Sequence, residues 1–128
     1  MTTMILDSNI IIYAAEPNFL FLRELIRIHN PVVSIVSYIE VLGYEKLSEE
    51  QKGYFEEFFE NTRILSISES VAKKAIFPRQ QRKITLGDSV IAATALVHRR
   101  TLITRNVDDF NWIPELKLLN PFENMTKI

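Results

Sequence analysis

The chain has 128 residues, 47% apolar and 24% charged, with a formal net charge of −1, the balance of an ordinary globular protein. It contains no cysteine, which excludes disulfides and thiolate metal sites and fits a reducing compartment. The first residues lack a signal peptide's basic and apolar regions, and no apolar run approaches the ~18 residues of a membrane span, so a cytoplasmic protein with no membrane partner is expected.

A chain of this length is expected to form one domain over residues 1–128, burying ~65–70% of its unfolded surface. Met4-Ile-Leu6 reads as a short buried strand ending at Asp7-Ser8-Asn9. Ile10–Ala15 follows as a short helix whose start Asp7 or Ser8 would cap. Pro17 opens a second helix, with Phe19, Leu22, Leu25, Ile26 and His29 at spacings of three and four. Asn30-Pro31 stops it, and Val32–Val36 is the second strand.

Ser37 begins a third helix carrying Ile39 and Leu42, with Ser37 and Glu40 in the S-x-x-E pattern of a capping box. Ser48 starts a fourth, with Tyr54, Phe55, Phe58 and Phe59 on one face; these aromatics read as core rather than as an interaction surface. Arg63–Ile67 is a third strand. The helix beginning at Ser68 runs through Val71, Ala75 and Ile76 until Pro78 interrupts it.

Val90–Val97 is apolar on every face except Thr94, so it is a helix for the interior of the core. Thr101–Thr104 is a strand, and a last short strand lies near Leu116–Leu119. The end, 124–128, reads as a frayed tail. Strands alternating with helices predict an α/β fold on a mainly parallel sheet of about five strands, with ligands outside the strands' carboxyl ends.

Acids fall where that rule places ligands. Asp7 ends the first strand, Glu40 lies a turn beyond the second, Asp88 heads the apolar helix, and Asp108-Asp109 follow the fourth strand. Each alone reads as a cap: Asp7 and Asp88 at helix starts, Asp108 or Asp109 at a turn. Together they are harder to dismiss. Two carboxylates ~4 Å apart at an effective dielectric of ~20 repel by ~4 kcal/mol. Either they protonate or a cation neutralises them. With oxygen donors and no nearby His, that cation is Mg²⁺ or Mn²⁺.

Other chemistries find little support. Three glycines cannot build a phosphate-cradling loop. His29 and His98 fall near helix ends, where they offset the dipole. An aspartyl-phosphate enzyme wants a second Asp where Asn9 stands. The charge is unevenly spread: residues 70–105 hold eight bases against Asp88 alone, a half that can attract phosphate.

The segments LDSNIIIYA from Leu6, SYIEVLGY from Ser37, LGDSVIAATAL from Leu86 and LITRNVDDF from Leu102 resemble PIN-domain ribonucleases, and most closely VapC toxins of bacterial toxin–antitoxin pairs. The resemblance spans residues 4–110. It implies a three-layer α/β/α PIN-like fold and a metal-dependent endoribonuclease silenced by a VapB-type antitoxin. Asp7, Glu40, Asp88 and Asp109 would hold one or two Mg²⁺ or Mn²⁺ ions, with Asp108 as the adjacent alternative for the last acid. Ser8, Thr104 and Asn106 would orient those ligands. Arg79, Arg82, Lys83 and Arg105 would steer an RNA substrate, with tRNA and rRNA as candidates. Toxins of this type also commonly form homodimers. The alternative is a catalytically inactive RNA- or protein-binding module whose acids are only caps.

Overall fold

The computed structural model describes residues 3–123. The expected tail at 124–128 lies outside them. Five strands form one sheet: β1 (Met4–Leu6), β2 (Val32–Ser34), β3 (Ile64–Leu65), β4 (Thr101–Ile103) and β5 (Leu118–Leu119). Their order is β3-β2-β1-β4-β5, and every pairing is parallel. Six helices cover it: α1 (Ser8–Ala14), α2 (Leu20–His29), α3 (Ile35–Leu42), α4 (Glu49–Glu60), α5 (Glu69–Gln81) and α6 (Leu86–Val97). This is the α/β/α arrangement expected. None of the described helices is long and apolar enough to cross a membrane.

Period-two alternation along each strand makes the layers. Leu6, Val33 and Ile103 face a core shared with Ile10, Leu22, Val41, Phe55 and Phe59 from α1–α4. Their neighbours Ile5, Val32 and Leu102 face the opposite way, onto Ile91, Ala92 and Ala95 of α6. Residues Val90 and Ala93, on the other side of α6, meet Val71 and Ala75 of α5. The helix is therefore wedged between sheet and helix, which is why its sequence has no polar face. Thr94 satisfies itself there by donating to the Val90 carbonyl at 2.7 Å. The aromatics of α4 are core as expected, with Phe55 and Phe59 buried and Tyr54 and Phe58 packed against them.

Several boundaries differ from the sequence reading. The second strand ends at Ser34, not Val36, and α3 begins two residues early because Ser34 caps it, accepting from Val36 N at 3.0 Å. The Ser37–Glu40 capping box is therefore not formed. Residues Val32–Val36 read as strand because four of the five are β-branched, but the fifth, a buried serine at the strand's end, starts the helix first. Pro78 does not end α5, which continues to Gln81. A proline removes one hydrogen bond, and Arg79 secures the final turn by donating to the Ile84 carbonyl at 2.9 Å. Pro17 opens a 3-10 turn over Pro17–Phe19 before α2 rather than α2 itself.

Candidate active site

Strand order reverses at β1, whose successor in the chain pairs on one side and β4 on the other. Such a switch point opens a crevice at the carboxyl ends of the two strands. Asp7 leaves β1 at that point. It occupies the N-cap position of α1, yet its side chain makes no capping bond. Its Oδ2 instead accepts from Thr104 Oγ1, one residue past β4, at 2.8 Å. That hydroxyl in turn accepts from the Asn106 backbone N at 3.0 Å. Thr104 is thus a buried bracket between the two strands, holding Asp7 and starting the loop that carries Asp109.

Ser8 performs the same service for Glu40. Its Oγ lies 2.7 Å from Glu40 Oε1 and 2.8 Å from Ser37 Oγ. A carboxylate brings no proton, so the Ser8 proton goes to Glu40 and the Ser37 proton to Ser8. Glu40 also presses on the start of α6. A Cβ placed on Gly87 would stand 2.5 Å from Glu40 Oε2, so glycine here lets the carboxylate lie against the helix.

Asp88 is not the cap of α6, contrary to one expectation. Thr85 is, accepting from Asp88 N at 3.1 Å. The half-buried Asp88 carboxylate faces the crevice while keeping a bond from the Thr85 hydroxyl, which favours its charged form.

The electrostatics show which acids share the crevice. Burial pushes the Asp7 carboxyl up to about 6, the bond from Thr104 opposes this, and repulsion from Asp88 and Glu40 adds to it. Burial also raises Asp88, with repulsion from Asp109 and then Glu40. Asp7 is thus repelled by Glu40 and Asp88, and Asp88 by Glu40 and Asp109, which links the four acids through Asp88. Asp109, not Asp108, is the acid that repels Asp88. The acids do not close on one another: among the described residues no three His, Cys, Asp or Glu side chains form a group able to hold an ion as they stand. The donor chemistry fits a hard divalent cation, being all oxygen with raised carboxyls that a cation would relieve.

The expected basic residues do not assemble into one group. Arg105 shares a hollow of about 340 Å³ with Asn106, Val107, Asp108 and Asp109, and its guanidinium lies over the Phe122 ring at 4.1 Å. Arg82 lies over Trp112 at 4.9 Å, Arg79 braces the end of α5, and Lys83 is exposed. The sequence reading missed Ser37, Thr85 and Gly87. Only Gly87 left a trace, as a poor helix former in a helix's first turn.

A profile of the PIN domain family matches residues 4–115, and the chain belongs to that family. Solved structures place it more narrowly. A chain of a toxin–antitoxin complex from Klebsiella pneumoniae is 29% identical with a TM-score of 0.74, over 92% of this chain and 97% of that one. A chain of VapBC-1 from nontypeable Haemophilus influenzae is 27% identical with a TM-score of 0.75, over 91% and 96%. One of DNA-bound VapBC from Salmonella typhimurium shares the fold with a TM-score of 0.80 at 19% identity, over 93% and 98%. The resemblance to PIN-domain chains of the VapC type is borne out. A search among curated proteins finds no match.

Proposed function

We propose that the chain is a Mg²⁺- or Mn²⁺-dependent endoribonuclease, the toxin of a pair whose antitoxin is of the VapB type. One observation carries this reading: four acids spread over more than a hundred residues are linked by repulsion at the sheet's switch point, Asp7 with Glu40 and Asp88, and Asp88 with Asp109. Asp7, Glu40, Asp88 and Asp109 would hold the ion or ions. Bound there, a divalent ion supplies a water nucleophilic near neutral pH and neutralises charge gathering on the phosphate.

The rest belongs to the chain's own residues. Thr104 fixes the rotamer of Asp7, and Ser8 fixes Glu40. Asn106 stands between Thr104 and Asp109, its backbone setting the start of the acidic turn. Arg105, on the same hollow as Asp109, brings positive charge beside the notch, where it favours approach of an RNA backbone.

The antitoxin partner is supported by the toxin–antitoxin complexes to which this chain is similar, and a homodimer by the same analogy alone. The test is incubation of purified protein with total tRNA and rRNA plus Mg²⁺ or Mn²⁺, with mapping of the ends. Cleavage at defined positions that disappears with Asp88→Ala is the expected result. Cleavage unchanged by that substitution comes from a contaminant and sinks the proposal.

A further inference from the structure

A second feature of the surface lies beyond the notch. Two hollows of about 280 and 270 Å³ adjoin across Leu96 and Glu115 beside the later turns of α6, and together make an interrupted groove. One end is basic, with Arg99, Arg100 and Lys117 against the lone acid Glu115. The other is apolar, lined by Phe77, Pro78 and Ile113, with Phe77 47% exposed. Arg100 is anchored at the basic end, its Nη1 donating to the Met4 carbonyl at 3.5 Å.

The groove is tied to the notch by the chain itself. The segment leaving the notch at Asp109 passes Trp112, whose Nε1 donates to the Asp109 carbonyl at 2.9 Å. It then supplies Ile113, Glu115 and Lys117 as one wall. Along α6 the groove begins at Leu96, eight residues or about 12 Å from Asp88 at 1.5 Å per residue, and its basic end lies beyond the helix, at the amino ends of β4 and β5 and so across the sheet from the notch.

We propose that a single-stranded RNA substrate runs on from the notch into this groove, where Phe77 stacks an unpaired base and Arg99, Arg100 and Lys117 hold phosphate. An exposed aromatic beside clustered bases is the chemistry that binds single strands without reading sequence. A duplex keeps its bases stacked on one another and offers none to Phe77. A free phosphate would fill the basic end and leave the apolar end unused. The inference rests on the reading of the chain as an RNA-cutting enzyme, and deepens it.

The test uses the Asp7→Asn chain, so that nothing is cut, and fluorescence anisotropy with labelled single-stranded RNA of about 4 and about 16 nucleotides, the range of single-strand site sizes. The longer strand binds about tenfold tighter or better. Arg99→Gly with Lys117→Ala erases that advantage, and Phe77→Leu lowers it about fivefold. Glycine suits the left-handed backbone at Arg99 (φ 53°), so the variant folds, and Arg99→Lys keeps the affinity. Equal binding of the two lengths, or unchanged binding in the variants, by a protein whose parent cuts RNA overturns the groove alone. Full displacement of the long strand by millimolar inorganic phosphate also overturns it, reducing the groove to a small-anion site. If neither strand binds and the parent cuts nothing, the nuclease reading itself fails.

Discussion

At position 7 a carboxylate stands only 4% exposed, at the end of a core strand. Burial lifts its pKa from 3.8 to about 6. The sign follows from linkage: between those values the folded chain binds more protons than the unfolded one, so metal-free stability falls as pH rises through about 6. The full shift corresponds to roughly 3 kcal/mol at 1.36 kcal/mol per unit. Asp7→Asn keeps an acceptor for Thr104 and removes the charge. It should raise metal-free stability at pH 7.5 by about 1–3 kcal/mol in urea titration and flatten its pH dependence, while RNA cleavage is lost. A variant no more stable than the parent would show that burial does not strain this acid.

Gly87 invites a second test at the same scale. The added methyl of Gly87→Ala meets the movable end of Glu40 rather than backbone. The fold should survive, with Glu40 displaced from the notch. Mn²⁺ affinity should fall about 10- to 100-fold, the usual effect of disturbing a ligand's support. Isothermal titration against the parent reads it, and unchanged affinity removes Glu40 from the ligand set.

Among the elements, α6 positions the site and also holds strain. It ends in a Schellman turn, in which Arg100 N bonds the Ala95 carbonyl at 2.8 Å and Arg99 N the Leu96 carbonyl at 3.3 Å. This motif places a residue in the left-handed region, normally glycine. Here it is Arg99. Arg99→Gly should stabilise the fold by about 1 kcal/mol, the cost of left-handed backbone for a residue with a Cβ. Thermal melts measure it, and a loss of stability would mean that the arginine side chain contributes more than its backbone costs. The RNA test pairs this substitution with Lys117→Ala, so the melt of the single variant reads the backbone cost at Arg99 by itself. At the start of α6, Thr85 provides the cap and leaves Asp88 to the crevice.

For the molecule as a whole, charge is divided between the ends of the sheet. Acids gather at the carboxyl ends of the strands, while Arg63, Arg100 and Lys117 immediately precede β3, β4 and β5. A divalent ion that binds only the folded notch must stabilise the whole chain, by about 2.7 kcal/mol at a hundred times its dissociation constant. The melting temperature should therefore rise with Mn²⁺ in the parent and not in the Asp7→Asn chain. A parent indifferent to Mn²⁺ moves weight to the catalytically inactive binding module.

Much of this was legible in the sequence, because the signals were local. The short apolar run Met4–Leu6, the apolar stretch Val90–Val97 and the stop at Asn30-Pro31 each depend on neighbours a few residues away, and from them the order of strands and helices along the chain could be read. The acids were legible too, since each follows a strand or heads a helix. Local signals misled at Val36 and Pro78, where a buried Ser34 cap and a braced last turn outweighed residue preference. What only the tertiary structure decided is which distant groups meet: Thr104 with Asp7 across 97 residues, Ser8 with Glu40 across 32, Glu40 with Gly87, and Asp109 rather than Asp108 with Asp88. Those meetings follow from the strand order β3-β2-β1-β4-β5. That order is set by burying both faces of the sheet at once, a condition on the whole chain that no short stretch encodes.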